Sequence, residues 1–241
     1  MVIETENTKI MIDAGLSYKK MCEHYGEEII PEALFISHEH ADHISGAGIL
    51  GRKTGCPIYL AEPCYKAKQE HDEKFFKGCE IKFISGGDDV VVGDFSIHVY
   101  STKHDSAASV GFIVTELSTN KKFGFLTDTG LITPLIRSQL DGCDAYFLEC
   151  DYDTESLEKY AEYDEFLKDR IKSPIGHLSN QQSLEYIHTY LNLEKVAWII
   201  LGHLSQNTNS PELLKEQCES KLPKKYWNKV HIGVASLKLE V

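Results

Sequence analysis

Apolar positions along this chain fall in short runs, and many of those runs stop at a histidine, an aspartate or a glutamate. Thr8 to Asp13 alternates as a strand does and ends at Asp13-Ala14-Gly15, ahead of a helix predicted from Ser17 to Tyr25. Ala33-Leu34-Phe35-Ile36 and Ile58-Tyr59-Leu60 are wholly apolar strands, and a charged helical stretch follows from Pro63 to about Lys77. Strands are predicted over Ile81 to Ser85, Val90 to Val92, Phe95 to Ser101 and Val110 to Glu116, punctuated by Gly86-Gly87 and Gly93. Phe123 to Leu126 and Ala145 to Leu148 are two more apolar runs that lead into acidic residues.

The second half alternates strands with helices. Thr154 to about Lys172 has helical composition, closed by Pro174. Ser179 to Tyr190 opens with N-cap chemistry, Val196 to Leu201 is an apolar strand, and Ser210-Pro211 starts another helix. Val230 to Val241 is expected to supply closing strands. No linker, repeat or composition break divides the chain. One α/β domain over residues 1–241 is expected, two mixed β-sheets face to face with helices outside.

Composition changes this picture only at its edges. The 241 residues are 42% hydrophobic, enough for a real core, and no window approaches the ~18 uninterrupted apolar residues of a membrane span. Met1 to Glu6 lacks the regions of a signal peptide. Seven cysteines without a Cys-x-x-Cys pair fit a reducing cytoplasm rather than a disulfide framework. A net charge of −12 disfavours binding nucleic acid through bulk electrostatics, although two divalent cations would offset four charges where a phosphate would sit. Lys168, Arg170 and Lys172 form the best candidate for a basic strip that tracks phosphates.

The chemistry concentrates at the ends of the apolar runs. Residues 38–43 read His-Glu-His-Ala-Asp-His directly after Ala33 to Ile36, so one strand end delivers His38, His40, Asp42 and His43 to a small volume. Imidazole and carboxylate donors suit zinc or manganese, with iron also accepted. His104 follows the run ending at Ser101, Asp128 follows Phe125-Leu126, and His203 follows Ile199-Ile200-Leu201. Taken singly these three read as ordinary loop residues. Together with the first run they make seven metal-ligand candidates from four strand ends.

This pattern resembles the metallo-β-lactamase superfamily, whose signature is His-x-His-x-Asp-His. The resemblance covers nearly the whole chain and implies a four-layer αββα sandwich. It implies that His38, His40 and His104 hold one metal, that Asp42, His43 and His203 hold a second, and that Asp128 bridges them. Asp13 matches an early aspartate that orients the histidine loop, and it could also cap the helix that follows. Two metals about 3.5–4 Å apart can share a bridging hydroxide as the nucleophile, so hydrolysis needs no serine or cysteine; Asp42 counts with the catalytic groups in this scheme.

Two further segments bear on substrate. Glu149 ends the run Ala145 to Leu148, and His177 stands before the helix at Ser179. In ribonuclease Z-like members a glutamate and a histidine in similar contexts act as a pair, the glutamate orienting the histidine toward the phosphate or the leaving oxygen. Ser179, Asn180 and Ser205 are the expected substrate contacts, the first at a helix N-terminus suited to an anion.

The segments Ile12 to Ser17, Ile36 to His43, Leu126 to Gly130, Gly176 to Asn180 and Leu201 to Ser205 resemble the YycJ-like (WalJ or VicX) subgroup. That resemblance implies an exonuclease that degrades DNA from the 5′ end in repair, with DNA as partner. The cysteines and hydropathy add a cytoplasmic setting and no membrane, and the oligomeric state stays open, a dimer among the options. Members usually begin with an extra strand and a Gly-Ser-Ser-Gly-Asn-like loop that this sequence lacks before Met1. The acidic stretch Asp151 to Glu155 beside Glu149 would repel phosphate. A small-molecule hydrolase of a cyclic nucleotide, phosphonate ester, lactone or thioester is the competing expectation.

Overall fold

Short parallel strands made wholly of apolar residues require cover on both faces, and that requirement organises this chain. The computed structural model describes residues 1–233 and Leu239. Their strands make two mixed β-sheets flanked by helices, the α/β class expected. The chain divides into two compact units, residues 1–101 with 106–120 and residues 102–105 with 121–241.

In the first unit, β1 (Val2–Glu4), β2 (Lys9–Ile12), β3 (Ala33–Phe35), β4 (Ile58–Leu60) and β5 (Ile81–Phe83) lie side by side in chain order. β1 runs antiparallel to β2 and the others run parallel, with Ile10 opposite Ala33 and Leu34 opposite Ile58. Helices α1 (Tyr18–Tyr25), α2 (Ala41–Ile44), α3 (Ala47–Thr54) and α4 (Glu62–His71) connect them. Met21, Ile44, Leu50, Cys64 and Phe76 share one buried cluster with Leu34, Ile58 and Leu60 of the sheet. On the other face Phe35 stacks on Tyr59 at 4.6 Å and meets Phe112 edge-on at 5.8 Å. Phe112 belongs to an antiparallel meander of β6 (Asp89–Val92), β7 (Phe95–Ser101) and β8 (Val110–Glu116). Both rings are fully buried, so truncating Phe35 to Ala should cost about 3–5 kcal/mol.

The second unit is built on four parallel strands, β9 (Lys122–Leu126), β10 (Ala145–Glu149), β11 (Trp198–Gly202) and β12 (Val230–Ile232). Leu148 pairs with Leu126 and Glu149 with Gly202, so the carboxyl ends of β9, β10 and β11 are in register. Ligand sites of open parallel sheets lie beyond such ends. Helices α5 (Pro134–Leu140), α6 (Thr154–Lys159), α7 (Glu165–Lys172), α8 (Asn180–Tyr190) and α9 (Pro211–Lys221) complete the unit, with a 3-10 turn over Lys224–Lys229. Among the described residues no helix is long and apolar enough to cross a membrane.

Several elements differ from the sequence pattern. The helix expected to reach Lys77 ends at His71, because Asp72 turns extended and its carboxylate accepts the Lys74 N–H. The stretch 154–172 is two helices: Tyr160 leaves helical geometry, and Asp164 caps a new start by accepting from Leu167 N. β1, α3 and α5 had no periodic signal long enough to announce them. Of the closing segment, Val230–Ile232 is a strand, and residues 234–238, 240 and 241 lie outside the described residues.

Candidate metal centre

In the first unit the site is a loop between β3 and α2 held by a single carboxylate. Ser37 donates to Asp13 twice, through its N–H to Oδ1 and its hydroxyl to Oδ2, each at 2.8 Å. Asp13 Oδ2 also accepts from His43 Nδ1 at 2.8 Å. A carboxylate can only accept, so the proton sits on His43 Nδ1 and the ligating nitrogen is Nε2. The Ser37 hydroxyl already donates to Asp13, so at 3.1 Å it accepts from His38 Nδ1 and sets His38 in the same tautomer. The rings of His40 and His43 lie 4.6 and 4.2 Å from that of His38, and Asp42 Oδ2 is 3.4 Å from His43 Nε2.

Asp13 takes a left-handed backbone at φ 56° to reach this position, a conformation costly outside glycine. It orients the loop but does not cap α1; Ser17 does that, accepting from Lys20 N. Gly15 explains how the loop closes, since a Cβ there would sit 1.6 Å from the Asp42 carbonyl oxygen.

In the second unit the candidates come from separate strand ends. Asp128 is buried, accepts from Thr127 Oγ1 at 2.6 Å, and places Oδ1 3.6 Å from both His104 Nε2 and His203 Nε2. His104 donates through Nδ1 to the Gly176 carbonyl at 3.1 Å, which again makes Nε2 the ligating atom. Asp128 and His203 share the left-handed backbone of Asp13, at φ 49° and 58°.

Glu149 is wholly buried and serves two histidines. Its Oε1 accepts from His177 Nδ1 at 2.7 Å and from His203 Nδ1 at 3.1 Å, while Oε2 accepts from Thr129 N and Leu178 N. Asp128, Glu149, His177 and His203 each offer an atom within 4.8 Å of the others. Both Nδ1 protons are committed to Glu149, however, so Glu149 reads as the group that orients and not as a ligand. Burial opposes the Glu149 charge, but the bonds from His177 and His203 outweigh it and hold the carboxyl well below its usual range. Burial likewise opposes charge on His177, and the Glu149 bond overcomes it and lifts the imidazole to about 9. Burial dominates at His104, which is lowered, and at Asp151, which rises to about 6 against the pull of His177.

Within its units the structure thus groups His38, His40, Asp42 and His43, and separately His104, Asp128, Glu149, His177 and His203. The donors are imidazole nitrogen and carboxylate oxygen, with four histidines fixed in the tautomer a metal needs, a set that fits zinc, manganese or iron. Sequence reasoning missed Ser37 and Thr127, which hold Asp13, His38 and Asp128 in place. Their adjacency to ligands was visible, but nothing local showed what their hydroxyls would meet. It also assigned Glu149 to His177 alone, whereas His203 shares it.

Ser179 is buried in a capping box with Gln182, and the Asn180 amide is buried in a reciprocal pair with Asn209. These bonds tie both side chains to α8 and its neighbouring loop. Ser205 is half-buried and accepts from Asn207 N and Thr208 N. The basic strip is spent: Lys168 bonds the Glu158 carbonyl and Glu165, Arg170 pairs with Asp105, and Lys172 with Glu158.

A profile describing a β-lactamase superfamily domain matches residues 8–197. The chain is 35% identical over 218 residues to exodeoxyribonuclease WalJ of Streptococcus pneumoniae, a match covering 88% of this chain and 79% of that protein. It is 29% identical over 238 residues to exodeoxyribonuclease YycJ of Bacillus anthracis, covering 93% and 85%. Among solved structures, a diphosphatase of the PhnP family superposes with a TM-score of 0.70 at 17% identity, over 99% of this chain and 81% of that one. This last likeness bears on the fold.

Proposed function

The chain belongs to the β-lactamase superfamily, in its YycJ-like subgroup, and on that premise we propose that it is a metal-dependent phosphodiesterase acting as a 5′ to 3′ DNA exonuclease. The observation that carries the reading is the Glu149–His177 couple at 2.7 Å, with Asp128 Oδ1 3.6 Å from the same His177 nitrogen. A thioester expels a thiolate that needs no such acid, whereas the oxygen leaving a phosphodiester gains from a proton donor. Glu149 keeps the His177 Nδ1 proton in place, so the imidazolium favoured by that bond can release its other proton, at Nε2, to the departing oxygen. The two relatives named exodeoxyribonucleases support DNA as the polymer.

His38, His40 and His104 are assigned to one divalent ion and Asp42, His43 and His203 to a second, with Asp128 shared. When bound, such ions would supply a water ionised near neutral pH and a Lewis acid toward the phosphoryl oxygens. Asp13 and Glu149 fix the histidine tautomers, and Ser179, Asn180 and Ser205 are the candidate contacts to substrate. On this reading the two compact units work as one domain. All seven cysteines are free, which supports a reducing cytoplasmic setting.

The competing small-molecule reading draws on the neutralised basic strip. End-labelled duplex DNA and matched RNA, incubated with protein in manganese or zinc, separate the two. Shortening of DNA from its 5′ end, lost in Asp128→Ala with the fold intact by circular dichroism, is expected. Intact DNA alongside turnover of a cyclic nucleotide or thioester would transfer the assignment to the small-molecule class.

A further inference from the structure

Residues 160–170 run across the second unit between two of its ligand-bearing loops. At one end the Tyr163 hydroxyl accepts from Asn207 Nδ2 at 2.8 Å, four residues beyond His203. At the other, Arg170 Nε donates to Asp105 Oδ2 at 2.5 Å, one residue beyond His104, and the other Asp105 oxygen lies 3.5 Å from His104 Nε2. Between these anchors the helical pattern breaks, with Tyr160 ending α6 and Asp164 opening α7. The rings of Tyr160 and Tyr163 meet at 4.7 Å, and Phe166 on the first turn of α7 is 80% exposed. Arg170 stands four residues on, so ring and guanidinium share one helix face.

One exposed aromatic on a surface needs no explanation. Three aromatics at intervals of three, in a segment tied at both ends to ligand loops, ask for one. The strap offers no positive charge to a phosphate chain: Glu162, Asp164, Glu165 and Asp169 outnumber Lys168 and Arg170, and those two pair with Glu165 and Asp105. What it does offer is π-faces, and base stacking on aromatic side chains is how single strands are held without regard to sequence.

We propose that this strap holds the unpaired end of a DNA strand, with a base stacked on Phe166. The proposal rests on the exonuclease reading and names the form of substrate that reading leaves open. It assigns the grip on DNA to stacking, which suits a chain of net charge −12.

The test compares wild type with Phe166→Ala and Phe166→Trp on a single-stranded oligonucleotide with a 5′-terminal 2-aminopurine and on bis(p-nitrophenyl) phosphate. Phe166→Ala should raise KM for the oligonucleotide about tenfold, the scale of one lost stack. It should also abolish fluorescence quenching on binding and leave diester hydrolysis unchanged, while Phe166→Trp restores both DNA readouts. Equal KM and quenching in Phe166→Ala would overturn the proposal, as would a parallel fall in diester hydrolysis. A dimer in wild type that dissociates in Phe166→Ala would instead make the surface a self-association face. If wild type hydrolyses the diester but neither binds nor cuts DNA, the exonuclease reading fails and this proposal falls with it.

Discussion

The two units present their candidate ligands in opposite ways. The first places His38, His40, Asp42 and His43 on one continuous loop, and a single carboxylate, Asp13, holds that loop through Ser37 and His43. The second draws His104, Asp128 and His203 from separate strand ends, and there Glu149 serves two histidines at once. Contiguity makes a site tolerant, because neighbouring residues cannot drift far apart. A dispersed site depends on strand register and on whichever group ties the ends together, so losing its tie should cost more.

Glu149→Gln tests that difference most severely. With its oxygen at the Oε1 position the amide turns its NH2 on the Thr129 and Leu178 N–H groups. Flipped, it turns that NH2 on both histidines, so either way donors clash in a buried place and the side chain must shift. The expected loss in kcat/KM is about 1,000-fold, combining a loosened His203 with a weakened proton donor. A loss near tenfold would mean that register alone holds the second unit's ligands.

Asp13→Asn is the matched change in the first unit. The Asn oxygen can still accept the Ser37 N–H, while its NH2 faces His43 Nδ1 and the Ser37 hydroxyl, so His43 loses its tautomer directly and His38 loses the hydroxyl that sets its own. Metal affinity, measured by competition with a chelating dye, should fall about 10–100-fold. A larger loss than in Glu149→Gln would reverse the ranking of the two units.

Gly15→Ala probes the contiguous loop by its backbone and not its chemistry. The new Cβ would meet the Asp42 carbonyl oxygen at 1.6 Å, so the loop must shift. The expected cost is about 2 kcal/mol, read as a melting point lower by about 5 °C. An unchanged melting point would show that the histidine loop moves aside at no cost and is less fixed than its hydrogen bonds imply.

These contrasts follow what was legible along the chain. The run His38 to His43 was readable because its ligands are neighbours, and Asp128, Glu149 and His203 because each ends an apolar run with no other reason for a polar residue. Ser179 was read as opening a helix, and its capping box with Gln182 bears that out. The break between α6 and α7 was hidden because residues 160–164 have ordinary helical composition. What favours the break is the Asp164 cap together with the anchoring of Tyr163 to Asn207.

Local order in the chain therefore settled which residues could be ligands, where most strands lie and how the helices begin, since periodicity, capping and strand ends involve only near neighbours. The packed fold settled the pairings: Asp13 with His43, Glu149 with both His177 and His203, Arg170 with Asp105. A hydrogen-bonding group has few lone pairs or protons to spend. Which distant partner claims them depends on the parallel register of β9, β10 and β11 and on the loops beyond them, and no stretch of neighbouring residues carries that information.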